Sequence, residues 1–359
     1  MLYRLFLELS SEVSFLNVFR YITFRIILAS LTSMALWFLL GPAFIRKVKA
    51  FRLSQYIRAE GPESHQKKAG TPTMGGLLVL GAALASCLLW ADVSSPNVIL
   101  MWGVVLAFGA VGFQDDYLKI RRKRNEGLTG RQKLALQCFL ALLGGLALYN
   151  SPGFSPVLTF PVFKNLLVDL GPFYVFFAAL VLVASSNAVN LTDGLDGLAA
   201  GPFVMAGATY MVFAYCAGNS IIAAHLQIAR APGAAEVAVI LSALIGSGLG
   251  FLWYNSYPAQ IFLGDTGSLS LGASLGYAAL VVKQELLLVL VGGIFVIEAL
   301  SVIGQVSFYK ATRGRRLFRM SPLHHHLELK GLEEPKIIVR FWIIAVILGL
   351  AGLSTLKLR

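Results

Sequence analysis

The sequence predicts an all-α, polytopic integral membrane protein with about ten transmembrane helices. Of its 359 residues, 57% are hydrophobic and only 13% are charged, whereas about 25% of the residues of an ordinary soluble domain are charged. The mean hydropathy is +0.73, and the apolar residues form runs near the length of about 20 that a spanning helix needs. This composition excludes a soluble globular enzyme, a disordered protein and a fibrous repeat.

Eight long runs without a charged residue, and two apolar runs with one charge each, define the expected spans. Their boundaries are 24–45, 73–91, 97–116, 133–150, 172–189, 199–217, 236–255, 267–283, 286–308 and 338–356. Residues 1–22 mix charged and apolar side chains, which predicts an interfacial N-terminal helix. Segment 151–171 holds turn residues around a short apolar run, which predicts an external hairpin or loop. The whole chain, 1–359, is then a single membrane-embedded domain.

The basic residues predict the orientation of the spans. Segments 46–68, 117–133 and 309–336 hold seven Lys or Arg each, whereas the loops between the other predicted helix pairs hold three in total. Loops rich in Lys and Arg remain in the cytoplasm, so ten helices place both termini outside. The net charge of +12 therefore indicates membrane topology and contact with anionic lipid, and we expect no nucleic-acid partner.

The aspartates are concentrated on one predicted face of the membrane. Five of the seven lie at predicted cytoplasmic helix ends, namely Asp115, Asp116, Asp193, Asp196 and Asp265. Aspartates placed at random in loops would be spread over both faces. Carboxylates beside basic loops are typical of a site for a divalent metal and phosphate. The active site is therefore expected at the cytoplasmic face.

Two of these aspartates are adjacent in the chain. Neighbouring residues of a helix point about 100° apart, so Asp115 and Asp116 are expected to have different roles. Adjacent carboxylates also raise each other's proton affinity, which is one way of tuning a general base. The alternative is that one of the two pairs with the basic stretch 119–124.

Four polar residues recur at a spacing of three, and a glycine directly follows each of the last two. Each step of three drifts by about 60° around a helix, so one straight helix cannot aim all four at one point. We expect a break near Gly194 or Gly197, after which amides and carboxylates hold a nucleotide or metal. The alternative is interhelical hydrogen bonding between asparagines. The four residues are Asn187, Asn190, Asp193 and Asp196.

Asp265 stands between Gly264 and the run Thr266-Gly267-Ser268 at the start of a predicted helix. A helix N-terminus with small residues favours an anion or a metal-bound phosphate. No P-loop pattern occurs in the sequence, which excludes a P-loop ATPase. Phe262 is expected to stack on a base, with packing against lipid or core as the alternative.

Three consecutive histidines, His324 to His326, occur in a basic loop. Consecutive histidines rarely supply three ligands to one zinc ion, so donation to phosphate oxygens fits better, with a plain surface loop as the alternative. Glu298 lies in the middle of a predicted span, where a carboxylate is either functional or a link between helices. Lys68 and Lys133 stand where basic loops meet helices, near the acids.

These residues together indicate metal-dependent phosphoryl transfer at the inner membrane surface. A polar substrate would arrive from the cytosol, and a lipid substrate would arrive laterally from the bilayer. The rival from another class is a secondary transporter, which would place its polar residues near mid-span and show repeat symmetry.

Four motifs in this order resemble the polyprenyl-phosphate N-acetylhexosamine-1-phosphate transferases. The motifs are Asp115-Asp116-Tyr117, Asn190-Leu-Thr-Asp193-Gly-Leu-Asp196-Gly, Gly264-Asp265-Thr-Gly-Ser and His324-His325-His326. The uninterrupted histidines favour the phospho-N-acetylmuramoyl-pentapeptide transferase branch. The resemblance covers about residues 20–356, and Gln114 is a minor departure from the pattern.

The resemblance implies a bacterial inner-membrane enzyme that uses Mg²⁺. Its substrates would be UDP-MurNAc-pentapeptide and undecaprenyl phosphate, and its products lipid I and UMP. A related transferase acting on another UDP-N-acetylhexosamine is the alternative, and whether the chain forms a homodimer is left open. Direct attack by the lipid phosphate is favoured over a two-step route through an aspartyl-phosphate.

The resemblance also assigns roles to individual residues. Asp115, Asp116, Asp265 and His324 would be catalytic, with Asp265 as the Mg²⁺ ligand and Asp115 or Asp116 as the base or the partner of the lipid phosphate. The substrate-binding residues would be Lys68, Thr73, Lys133, Asn187, Asn190, Asp193, Asp196, Asn255, Phe262, Gln305, His325 and His326.

Overall fold

The computed structural model describes residues 2–51, 70–122, 126–161, 163 and 166–357. These residues form a bundle of long helices and one small sheet. The helices are α1 (Leu2–Leu9), α2 (Ile22–Ala50), α3 (Gly75–Trp90), α4 (Pro96–Arg122), α5 (Gly130–Tyr149), α6 (Tyr174–Thr192), α7 (Ala200–Gly218), α8 (Ser220–Leu226), α9 (Ala234–Asn255), α10 (Gly264–Val281), α11 (Leu288–Val291), α12 (Gly293–Ala311), α13 (Leu323–Glu328) and α14 (Glu334–Ser354). The strands are β1 (Val157–Thr159) and β2 (Leu167–Asp169).

The predicted all-α membrane architecture is confirmed. Each of the ten expected spans contains one of the long helices, and the ninth span contains both α11 and α12. In the part of the chain that the structure describes, eight helices are long and apolar enough to cross a bilayer, namely α2, α4, α5, α6, α7, α9, α12 and α14. The two remaining spans are α3, which has 16 residues, and α10, which has 18.

Helix α10 lies inside the bundle, and this position explains why it can contain polar residues. All of its residues from Thr266 to Val281 are buried, so this helix faces protein on every side. The hydroxyl of Ser270 donates to Thr266 O at 2.6 Å, and that of Ser274 donates to Leu271 O at 2.6 Å. Serines that bond their own helix can therefore occupy the core without other partners. Helix α10 packs mainly against α4, α6 and α3, while the neighbouring α9 packs against α2, α7 and α3.

The two segments predicted to lie outside the spans are residues 1–22 and 151–171. Residues 1–22 were expected to be one interfacial helix, but the described part contains α1 followed by a 3-10 helix, Ser14–Arg20. Segment 151–171 contains β1 and β2, which pair antiparallel with Val157 opposite Asp169. The expected hairpin is therefore present. That it lies outside, and that α1 lies at the membrane surface, stay predictions.

Candidate active site

A close approach of two helices places the acidic motifs side by side. Gly112 of α4 packs directly on the first turn of α10, because a Cβ at this position would lie 2.2 Å from the carbonyl oxygen of Asp265. Only glycine fits such a contact. One turn further along α4 are Asp115 and Asp116, and one oxygen from each lies within 4.8 Å of an oxygen of Asp265. The predicted convergence of these three aspartates is confirmed.

Asp116 caps the N-terminus of α10 from a neighbouring helix. Its Oδ1 accepts a hydrogen bond from the Asp265 N–H at 3.1 Å, and its Oδ2 accepts from the N–H and hydroxyl of Thr266 at 3.0 and 2.8 Å. The residue before α10, Leu263, has no side chain that can cap the helix. A carboxylate here satisfies free backbone donors and complements the helix dipole. Asp116 therefore fixes the position of Asp265.

Asp115 has different partners, as expected for adjacent residues of a helix. Its Oδ1 accepts a hydrogen bond from the Leu128 N–H at 2.7 Å, and its Oδ2 lies 2.6 Å from Lys119 Nζ. The alternative that one of the two acids pairs with the basic stretch 119–124 therefore holds for Asp115. Lys119 also lies 3.0 Å from Asp265 Oδ2, so it bridges two of the three acids.

Asp265 is the point at which four helices meet. Its Oδ2 lies 2.7 Å from Nζ of Lys133 on α5, and its Oδ1 accepts a hydrogen bond from Nδ2 of Asn190 on α6 at 3.1 Å. The same amide nitrogen donates to the Ser268 hydroxyl at 2.8 Å. Helices α4, α5, α6 and α10 thus each contribute a polar side chain to one site.

This donor set fits a divalent cation. Three carboxylates whose oxygens lie within 4.8 Å of one another repel each other, and the ammonium groups of Lys119 and Lys133 offset only part of that repulsion. Three acids against two lysines leave one net negative charge. Hard cations such as Mg²⁺ prefer carboxylate oxygens. The residues that could hold the ion are therefore Asp115, Asp116 and Asp265.

The predicted break after the asparagines is confirmed. Helix α6 ends at Thr192, and Gly197 has a φ of +75°, which allows the chain to turn before α7. We call residues 193–199 the aspartate loop. Burial of its carboxyl, together with the nearby carboxylates of Asp265 and Asp116, raises the pKa of Asp193 to about 8.

Two predicted substrate residues hold the aspartate loop in place. Asp196 is buried, and its Oδ2 accepts a hydrogen bond from the Ala259 N–H at 2.9 Å. Asn255 is also buried; its Oδ1 accepts from the Gly197 N–H, and its Nδ2 donates to Ile261 O, both at 2.8 Å. These bonds join the loop to the segment before α10. Direct contact of these two side chains with substrate stays a prediction.

Asn187 lies one turn before Asn190 and has a different environment. Its Nδ2 donates to Gln137 Oε1 on α5 at 2.7 Å and to Val183 O at 2.8 Å. This is the interhelical bonding that the sequence left open as the alternative, although the partner is a glutamine. Asn190, by contrast, contacts the acidic cluster directly.

The three histidines point to different partners. His324 is completely buried, and its backbone N–H donates to Glu298 Oε1 at 3.2 Å. His325 Nδ1 lies 2.8 Å from Glu328 Oε2, and His326 Nδ1 accepts a hydrogen bond from a backbone N–H at 3.1 Å. The motif therefore does not present three imidazoles to one point. A role for each in binding substrate stays a prediction.

Of the remaining predicted residues, Thr73, Phe262 and Gln305 lie in the described part of the chain. Thr73 is buried beside Gly264, and the Phe262 N–H donates to Pro72 O at 2.8 Å, so the segments before α3 and α10 are joined. Gln305 Oε1 accepts from the backbone N–H groups of 317 and 318 at 3.0 and 2.8 Å, which shapes the chain before α13. Lys68 lies outside the described residues.

One residue of the site was missed by the sequence analysis. Lys119 was treated only as part of a basic stretch, yet it contacts both Asp115 and Asp265. Its spacing of four from Asp115 is the signal that could have identified it, because such pairs are neighbours on a helix.

Comparison with known proteins adds independent information. Residues 98–283 match the model of Glycosyl transferase family 4, and residues 68–80 match Phospho-N-acetylmuramoyl-pentapeptide-transferase signature 1. Three curated relatives are each named phospho-N-acetylmuramoyl-pentapeptide-transferase. They come from Desulfosudis oleivorans, Syntrophus aciditrophicus and Pelobacter propionicus, and they are 55%, 52% and 54% identical to this chain over 359 residues. Each match covers 100% of both chains.

Proposed function

The chain belongs to the phospho-N-acetylmuramoyl-pentapeptide-transferase family, and from this premise we propose the reaction that it catalyses. It transfers phospho-MurNAc-pentapeptide from UDP-MurNAc-pentapeptide to undecaprenyl phosphate, which forms lipid I and releases UMP. The observation that carries the proposal is the convergence of Asp115, Asp116 and Asp265, with Lys119 and Lys133, at one end of the bundle. Acids and cations at such a point suit a substrate with a diphosphate.

In this proposal Asp265 binds Mg²⁺, assisted by Asp115 or Asp116. When bound, the ion would offset the negative charge of the diphosphate. Lys133 and Lys119 bind phosphate oxygens in this proposal. Their ammonium groups lie within 3.0 Å of Asp265 Oδ2, which is the carboxylate proposed to hold the ion. Asn190 orients the Asp265 carboxylate through its hydrogen bond at 3.1 Å. The aspartate loop, with Asp193 at its start, lies on the nucleotide side.

The transfer itself is a direct displacement. An oxygen of the lipid phosphate attacks the phosphorus that carries MurNAc, the bond from that phosphorus to the UMP oxygen breaks, and UMP leaves. Asp115 accepts the proton of the attacking phosphate when that group is protonated. For Asp116 the contacts favour this route over an aspartyl-phosphate, because the hydrogen bonds from α10 to both of its oxygens hold it in place as the cap of that helix.

The site belongs at the cytoplasmic face of a bacterial inner membrane. Basic residues surround this end of the bundle in the sequence, as in loops that remain in the cytoplasm. The acids lie at the ends of α4 and α10, whereas a secondary transporter would place them near mid-span. Of the carboxylates discussed, only Glu298 lies in the middle of a predicted span, 286–308.

The proposal is tested by measuring UMP release from the purified protein in detergent. We expect release from UDP-MurNAc-pentapeptide that requires both undecaprenyl phosphate and Mg²⁺, stops with EDTA, and returns with excess Mg²⁺. UDP-GlcNAc serves as the matched donor, and we expect no release from it. Release from UDP-GlcNAc alone would indicate the related hexosamine transferase, and no release from either donor would contradict transferase activity.

A further inference from the structure

Glu298 is a completely buried carboxylate in the N-terminal half of α12, and the proposed chemistry does not use it. A carboxylate inside a spanning helix is expensive to bury, so it is expected either to act in function or to link helices. The face of α12 next to it is apolar and exposed at Ile297 and Leu300. The exposed face of α12 therefore suits contact with lipid without any contribution from the Glu298 carboxylate.

Both oxygens of Glu298 are directed at a single residue, His324. Oε1 accepts a hydrogen bond from the His324 backbone N–H at 3.2 Å, and Oε2 lies 3.2 Å from Nδ1 of the same ring. A link between helices needs only one such contact. Contact with both the backbone and the ring fixes where the residue stands and how its imidazole is turned.

The other side of the His324 ring is fixed by the aspartate loop. A Cβ at position 194 would lie only 2.2 Å from His324 Nε2, so the ring packs directly on the backbone of Gly194. Gly194 lies four residues after Asn190, whose Nδ2 donates a hydrogen bond to Asp265 Oδ1 at 3.1 Å. A series of contacts therefore leads from α12 through the imidazole to the loop beside the acidic cluster.

We infer that Glu298 is a positioning residue, which holds His324 against Gly194 and so keeps the aspartate loop in the geometry that binds the nucleotide diphosphate of the donor. This inference rests on the proposed transferase function. The ring is held by its 3.2 Å contact with the Glu298 carboxylate and by packing on Gly194, and neither ring nitrogen has a hydrogen-bond partner among the described residues. The histidine motif thus acts partly through the shape of the loop.

The Glu298→Gln variant separates positioning from a purely structural link. Glutamine keeps the size of the side chain but places an amide where a carboxylate faces Nδ1. We expect kcat/KM for UDP-MurNAc-pentapeptide to fall about 10- to 100-fold, the range seen when a partner of a functional histidine is lost. The KM for undecaprenyl phosphate should not change. The matched control is Ser301→Ala, since Ser301 is buried in the same helix and its hydroxyl donates within that helix, to the backbone oxygen of Glu298.

A double-mutant cycle tests whether Glu298 acts through the histidine. If it does, adding Glu298→Gln to His324→Gln causes little further loss of kcat/KM. Gly194→Ala disturbs the same contact from the loop side, and we expect a loss of similar size; this variant decides the question if Glu298→Gln does not fold.

Several outcomes would overturn the inference. They are wild-type kinetics in Glu298→Gln or in Gly194→Ala, losses that multiply in the double variant, or a lower melting temperature with unchanged kinetics. An inactive wild-type protein would instead contradict the proposed function, and the inference with it.

Discussion

Replacing Asp265 by asparagine is expected to lower the rate of UMP release by about a thousand-fold or more, which corresponds to about 4 kcal/mol of activation free energy. Asp265 is the acid that contacts Lys119, Lys133 and Asn190 at once. An amide of the same size has no charge to hold a cation and places a donor next to the lysines. The protein should remain folded, since the Asp265 backbone N–H keeps its bond to Asp116.

The measurement is UMP release under saturating substrates, with the melting temperature recorded for the same sample. The matched control is Asp169→Asn, because Asp169 is an exposed aspartate of β2, and within the described residues its Oδ1 accepts a local hydrogen bond from the Gly171 N–H at 2.9 Å. We expect wild-type activity from this control. An Asp265→Asn variant that retains more than about a tenth of wild-type activity would show that this carboxylate is not central to the reaction.

Replacing Asp116 by alanine is expected to lower both activity and stability. The change removes the acceptor for two backbone N–H groups and for the Thr266 hydroxyl in a buried site. Loss of a helix cap commonly costs about 1–2 kcal/mol, and a buried donor left without a partner costs about 1–3 kcal/mol. Because the cap also sets the position of Asp265, activity should fall about 100-fold or more.

Thermal unfolding in detergent and UMP release, measured on the same preparation, test this expectation. Thr266→Val is the matched comparison, since it removes the hydroxyl bond but keeps the bonds from Asp116 to the backbone. It should therefore lose much less stability than Asp116→Ala. If Asp116→Ala melted at the wild-type temperature, Asp116 would not be the cap of α10.

Most of the architecture could be predicted from the sequence, because a bilayer imposes a strong signal on spanning helices. The exceptions are informative. Helix α10 was predicted from its run without charged residues, but the sequence did not show why its serines are tolerated, which is that the helix is buried in protein. Helix α4 continues to Arg122, six residues beyond the predicted span, and this extension carries Lys119 into the site.

The convergence of the acids could also be predicted, since charge topology placed them on one face. The sequence could not show which atoms of these residues meet. The cap of α10 by Asp116 joins residues 149 and 150 positions apart, and that contact depends on the packing allowed by Gly112. The burial of Asp196 and of Asn255 could not be predicted for the same reason. Each depends on a hydrogen bond to a segment that is distant in the sequence.

Binding of Mn²⁺, a spectroscopic substitute for Mg²⁺, is the most direct test of the account. Electron paramagnetic resonance of the purified protein in detergent distinguishes free from bound Mn²⁺. We expect one ion bound per chain, displaced by excess Mg²⁺, and greatly weakened binding in Asp265→Asn but not in Asp169→Asn. Equal Mn²⁺ binding by wild-type and Asp265→Asn protein would contradict a metal site at the three converging aspartates.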